Sequence, residues 1–219
     1  MTTPRVSCLL VTQNGRERFV RRAVADFFAQ RYGNKELVVV AEGPVPVPEI
    51  AGLTRVVHVE APRPILGDLR NLSVELARGD LVAIWDDDDR SAPLRLQEQV
   101  DRLLLVEGDA CFVSRIQLRC ACGTITVSSE RLWECTMLAW RKALPRYRAL
   151  HRREDSVLVE TMATDGRQFG RLDKPLLFTK VFHGNNTWDS VHNQHLFEQA
   201  TPVHACQALQ PVHSCETIG

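Results

Sequence analysis

Four consecutive carboxylates, Asp86 to Asp89, follow directly on an apolar run, Leu81-Val82-Ala83-Ile84-Trp85. An apolar run of that length, bounded by Gly79-Asp80 and by the acids, reads as a buried strand. Four anions side by side repel one another, so their placement at a strand end needs an explanation. A divalent cation is one, because hard cations choose carboxylate oxygens. A solvated acidic turn that leads into the next helix is the rival account. On the first account the cluster lies at the carboxyl edge of a sheet, where open α/β sheets bind ligands.

The segments around it alternate. A strand is expected over 6–12, then a turn at Gly15. An amphipathic helix over 17–31 follows, with Phe19, Val20, Ala23, Val24, Phe27 and Phe28 at helical spacing. A second strand spans 36–41, a proline-rich loop 44–48, and a third strand 55–60. A helix over 65–78 is expected to end at Gly79, and a third helix to start at Pro93 and stop near Gly108. This order predicts an α/β fold with a mostly parallel central sheet flanked by helices. Right-handed crossovers put the loops after these strands on one edge. Thr12-Gln13-Asn14, Ala41-Glu42-Gly43 and Asp86 to Asp89 therefore converge on one crevice. The second half reads as short strands at 110–113, 116–118 and 124–127, so the sheet becomes mixed. A strand or a helix start is expected at 137–143, a helix over 155–163, and a strand over 176–182 that runs into His183.

At 219 residues the chain can bury a large core without staples. Lysine plus arginine equals aspartate plus glutamate, 27 each. That balance argues against a protein-wide nucleic-acid surface. Lysine stands only at positions 35, 142, 174 and 180, so arginine carries most of the positive charge. Arginine suits bidentate anion contacts, and genome composition explains the bias equally well. The opening residues do not read as a signal peptide, and no apolar stretch approaches membrane-spanning length. A cytoplasmic, reducing location is expected, with the seven cysteines as free thiols and Cys8 and Cys111 in the core. Cys120-Ala121-Cys122 lacks zinc-knuckle spacing. The near-copies Pro202-Val203-His204-Ala205-Cys206 and Pro211-Val212-His213-Ser214-Cys215 read as a loosely docked tail, 196–219, although two His-x-Cys pairs could bind a soft metal.

Five stretches carry a resemblance, over residues 5 to about 195. They are the opening strand ending in Thr12-Gln13-Asn14; Gly67-Asp68-Leu69-Arg70-Asn71 with Ala77-Arg78-Gly79-Asp80; Asp86-Asp87-Asp88-Asp89 with Pro93 and Leu96; Glu154-Asp155; and His183-Gly184-Asn185-Asn186-Thr187. In order and spacing they resemble a family 2 glycosyltransferase with the GT-A fold, its Asp-x-Asp-Asp and Glu-Asp motifs included. The resemblance implies one GT-A domain over 1–195. Its nucleotide-binding half would span about 1–108 and its acceptor-side half about 109–195.

It also implies an inverting transfer of a sugar from a nucleoside-diphosphate donor, a UDP-sugar first. The acceptor would be a glycan, a lipid-linked sugar or a glycoconjugate, with no membrane span and at most peripheral membrane contact. Mn²⁺ or Mg²⁺ would neutralise the leaving diphosphate. Asp88 is the first choice of metal ligand and His183 the second. Thr12, Gln13, Asn14, Glu42, Arg70, Asp86 and Asp87 would face the nucleotide-sugar. Asp89 could instead cap the following helix. Asp155 would be the base and Glu154 its supporting neighbour; simple capping of the helix from Ser156 onward is the alternative. The chain departs from the family at Ala41-Glu42-Gly43, where members carry Asp-Asp-Gly, which puts the uridine preference in question. Trp133 and Trp188 could form sugar platforms or lie buried. A non-catalytic nucleotide-sugar or glycan-binding module would share the fold. A nucleotidyltransferase would need a fuller basic, glycine-rich loop than Gly15-Arg16.

Overall fold

The computed structural model describes residues 3–60, 65–183 and 196–202. Seven strands form the main sheet, in the order β10-β6-β9-β4-β1-β2-β3. Strands β1 (Val6–Thr12), β2 (Lys35–Ala41), β3 (Thr54–His58) and β4 (Leu81–Ile84) run parallel, and β9 (Leu138–Trp140) lies antiparallel to both β4 and β6 (Ala110–Val113). The edge strand β10 (Phe169–Leu172) pairs parallel to β6. Every residue of β4 and β6 is buried, as expected of strands covered on both faces.

Side chains alternate across the sheet, so the two faces build separate cores. On one face Cys8 and Leu10 of β1 pack with Val20, Ala23 and Phe27 of helix α1 (Glu17–Ala29) and with Leu96, Val100 and Leu103 of α3 (Arg95–Leu105). On the other, Leu9, Val38 and Val82 pack under α2 (Leu66–Leu76), while Ile84, Phe112 and Ala139 pack against Leu158, Val159 and Met162 of α4 (Glu154–Thr164). The result is a three-layer α/β/α sandwich.

The second half both extends the first sheet and, with β5 from the first half, builds a second sheet of five strands in the order β12-β8-β7-β11-β5. That sheet comprises β5 (Arg90–Ser91), β7 (Gln117–Arg119), β8 (Ile125–Val127), β11 (Phe178–Val181) and β12 (Thr201–Pro202). Its function in the architecture is positional. The antiparallel pairing of β11 with β5, Phe178 to Ser91 and Thr179 to Arg90, carries the chain from Thr179 to His183 past the acidic run. Thr201–Pro202 pairs with β8, so the start of the expected tail is docked; the His-x-Cys copies, apart from Pro202, lie outside the described residues.

Three local expectations change. Helix α2 ends at Leu76, and Gly79 is not its left-handed cap. A Cβ at Gly79 would lie 2.7 Å from the Arg5 carbonyl and from Ser7 Oγ, so glycine is required there by close approach to β1. The stretch 137–143 is both alternatives in sequence, β9 followed by a 3₁₀ turn at Arg141–Ala143. Cys120 and Cys122 are joined by a disulfide across the β7–β8 turn, whereas Cys8, Cys111 and Cys135 are free and buried.

Candidate active site

The carboxyl ends of β1, β2 and β4 lie side by side because the register aligns Thr12 with Ala41 and Leu9 with Ile84. Trp85 then turns inward. Its backbone N–H donates to the Leu9 carbonyl at 3.0 Å, its indole Nε1 donates to the Ala23 carbonyl at 2.9 Å, and its ring meets Phe27 edge-on. This anchor fixes where the acidic run leaves the sheet. Asn14 of the first loop covers Gly43 of the second so closely that a Cβ there would meet Asn14 Oδ1 at 1.9 Å. The three predicted loops thus converge.

Each carboxylate of the run has a cationic partner supplied by the protein. Arg70 Nη2 donates to Asp86 Oδ1 at 2.7 Å. Arg16 grips Asp87 with Nε at 2.7 Å and Nη2 at 2.6 Å, while Thr12 Oγ1 donates to Asp87 Oδ2 at 2.5 Å. Asp88 Oδ2 accepts from Arg16 Nη2 at 2.8 Å and stands 3.1 Å from His183 Nε2. Asp89 accepts from the Val181 N–H at 3.0 Å and pairs with Lys180 Nζ at 3.5 Å. Behind them Arg95 is fully buried, donating to the Ile84 carbonyl and stacked between the Trp85 and Phe178 rings. Repulsion within the run is therefore met by Arg16, Arg70 and Lys180, with Arg95 adding to the field. That corrects the premise that a bound cation alone accounts for four adjacent acids. It also corrects the capping role for Asp89, whose partners lie on β11.

Charge placement sets the ionisation. Burial opposes ionisation of Asp88, but His183, Lys180 and Arg16 override it and hold its carboxyl well below the usual range. Burial would likewise lower Lys180, yet Asp89, Asp88 and Asp86 keep it protonated.

Arg70 joins this edge to the Glu154-Asp155 pair. Its Nε lies 3.7 Å from Glu154 Oε1 while its Nη2 holds Asp86. The motif residues around it explain how. A Cβ at Gly67 would sit 1.9 Å from the Arg148 carbonyl, and Asn71 both donates to the Tyr147 carbonyl and accepts from the Tyr147 N–H, each at 2.9 Å. Gly67 and Asn71 thereby clamp the segment 147–150 that leads into α4. Arg153, with φ of 63°, turns the chain into that helix. Burial pushes Glu154 up to about 7, partly offset by Arg70, and raises Asp155 as well, with Arg70 again opposing. Asp155 Oδ1 accepts from the Ser156 N–H at 2.8 Å, so it does serve the helix start, with its second oxygen uncommitted among the described residues.

The remaining expected residues fall as follows. Gln13 and Asn14 are exposed at the crevice mouth, and the half-buried Glu42 carboxylate has no partner among the described residues. Trp133 is buried in the core under Arg131 and is not a sugar platform; Trp188 and the segment after His183 lie outside the described residues. Sequence reasoning missed Arg16, Lys180 and the wall formed by Phe19. The Phe19 ring was expected in the α1 core but packs 4.5 Å from the His183 ring. A signal for Arg16 existed, since it directly follows the first loop on the predicted ligand edge.

A divalent cation fits only in part. Among the described residues no cluster of three or more acid, histidine or cysteine ligands is set to hold a metal. Asp88 Oδ2 and His183 Nε2 stand 3.1 Å apart, one oxygen and one nitrogen of the types that divalent cations accept.

The sequence profile described as Glycosyl transferase family 2 matches residues 7–164, and the chain belongs to that family. Similar solved structures include TarS 1-349 of S. aureus (TM-score 0.61, 15% identity, covering 89% of this chain and 70% of that one). TarS 1-349 in complex with UDP-GlcNAc aligns at TM-score 0.62 and 14% identity, covering 88% and 70%. The mannosyltransferase PcManGT of Pyrobaculum calidifontis in complex with GDP-Man and Mn²⁺ aligns at TM-score 0.59 and 16% identity, covering 91% and 63%. No curated protein sequence matched.

Proposed function

We propose that this glycosyltransferase moves a sugar from a nucleoside-diphosphate donor to a hydroxyl of a glycan, lipid-linked or glycoconjugate acceptor, with inversion at the anomeric carbon. The observation that carries the reading is the Arg70 bridge, which ties Asp86 at the donor edge to Glu154 at the start of α4. Asp86 and Glu154 thereby meet neighbouring nitrogens of one buried guanidinium, and in this reading the first serves the donor and the second the acceptor side.

In this reading the nucleotide lies over the ends of β1 and β2, against Thr12, Gln13, Asn14 and Glu42, with Arg70, Asp86 and Asp87 beneath the diphosphate. Asp155 takes the acceptor hydroxyl proton as that oxygen bonds to the anomeric carbon and the bond to the nucleoside diphosphate breaks. Its raised pKa suits a base working near neutral pH. The Ser156 N–H holds one of its oxygens, and the positive charge of Arg70 favours its ionised form. Asp88 and His183 would hold Mn²⁺ or Mg²⁺, which when bound supplies positive charge to the departing diphosphate. The solved neighbours carry both UDP-GlcNAc and GDP-Man, so the family fold accommodates either base. A UDP-sugar remains our first choice of donor. No helix among the described residues is long and apolar enough to cross a membrane, and a lipid-linked acceptor would be met at the surface.

The test is release of nucleoside diphosphate from a panel of UDP- and GDP-sugars with mixed acceptors, with and without Mn²⁺. Turnover with one donor, abolished in Asp155→Asn, supports the reading. Tight donor binding without turnover across acceptors would favour a non-catalytic binding module.

A further inference from the structure

Arg16 is the cation that touches the candidate metal ligand. Its Nη2 lies 2.8 Å from Asp88 Oδ2, the same oxygen that faces His183 Nε2 at 3.1 Å. Its other contacts are the two-pronged grip on Asp87 and the face of Phe19, whose centroid lies 4.9 Å from the guanidinium carbon. Phe19 in turn packs on His183. The guanidinium therefore occupies the electrostatic position that a divalent cation at Asp88 would take. Two cations cannot share one carboxylate oxygen without strong repulsion. Arg16 is held by a short tether, since its backbone carbonyl accepts from the Phe19 and Val20 N–H groups at the start of α1, and its side chain keeps 21% exposure. Its head can thus leave Asp88 while its backbone stays fixed. The group on this edge that best replaces two carboxylates for a guanidinium is a diphosphate, which it can engage through the same paired N–H geometry.

We propose that Arg16 is a positioning residue that gates the acid cluster: it guards Asp88 in the donor-free enzyme and transfers to the donor's diphosphate as metal and nucleotide enter together. This rests on the reading of Asp88 and His183 as metal ligands. It makes metal and diphosphate binding mutually dependent, since each releases the other's competitor.

The test measures Mn²⁺ alone by the electron paramagnetic resonance signal of the free ion, on the full chain and on Arg16→Gln, Arg16→Lys and Asp88→Asn. Inorganic pyrophosphate binding at saturating Mn²⁺ is measured in parallel by equilibrium dialysis. Arg16→Gln should bind Mn²⁺ about tenfold more tightly than the native protein and pyrophosphate about tenfold more weakly. Should Arg16→Gln fail to fold, Arg16→Lys replaces it, because a single ammonium cannot bridge both acids; a gain in Mn²⁺ affinity of about threefold is expected. Unchanged or weaker Mn²⁺ binding in the folded Arg16 variants, with binding lost in Asp88→Asn, would overturn the gate and leave the metal site standing. Native-like Mn²⁺ binding by Asp88→Asn would overturn the metal reading and the gate with it.

Discussion

Asp155 and Glu154 are adjacent in sequence yet experience different surroundings, and the difference yields two predictions. Asp155 has one oxygen uncommitted among the described residues. Asp155→Asn should therefore lower kcat by about 10²-fold or more with the fold intact, as read by nucleoside diphosphate release and thermal melting. Its raised pKa should move the acid limb of the kcat/KM profile upward from where an unperturbed aspartate would put it. Glu154 is buried, with a pKa moved from 4.5 to about 7. Below 4.5 both folded and unfolded chains are protonated there and no penalty arises. As pH rises from 4.5 to about 7 the unfolded chain ionises first, so stability falls, by a total on the order of 3 kcal/mol. Glu154→Gln should flatten that slope in urea unfolding across the same window; an unchanged slope would show that burial does not govern this carboxyl. At this scale the motifs located Arg70 and Asp88, which the structure brings to one sheet edge. The sequence was silent on Lys180 and marked Arg16 only by its place after the first loop, because a lone basic residue carries no pattern until the fold sets it against an acid.

The Gly67–Asn71 turn of α2 shows how a helix holds a loop it is not bonded to in sequence. Gly67→Ala would press its Cβ into the Arg148 carbonyl and should cost about 1–3 kcal/mol. It should also lower kcat, because the displaced segment leads into Glu154-Asp155. Gly33→Ala, whose Cβ meets nothing within 4 Å, should leave both melting point and activity unchanged. Element positions followed hydrophobic period well for β1, α1, β2, β4 and α3, where apolar residues recur cleanly. Strand β10 was not legible, because Gly170 and Arg171 interrupt Phe169-Gly-Arg-Leu172 and only pairing with β6 makes it a strand. The two-residue β5 is likewise created by its partner β11. Partition into two sheets is a tertiary fact that local pattern does not contain.

Across the molecule, equal numbers of acids and bases conceal a local arrangement in which four acids at one sheet edge are met by buried or half-buried cations from the turn before α1, from α2 and from β11. These ion pairs predict a fold that stands without a bound ion. Removing divalent metal with EDTA should shift the thermal midpoint by no more than about 2 °C, whereas Lys180→Met, which strands the buried Asp89, should cost about 3 kcal/mol or more. A large EDTA shift would mean the ion pairs are insufficient. The direct test of the catalytic account is a crystal of the protein soaked with Mn²⁺ and either UDP or GDP. The account predicts nucleotide over the carboxyl ends of β1 and β2, with its diphosphate and the ion beside Asp88 and His183. Nucleotide bound elsewhere, or an ion held by neither of those side chains, would contradict it.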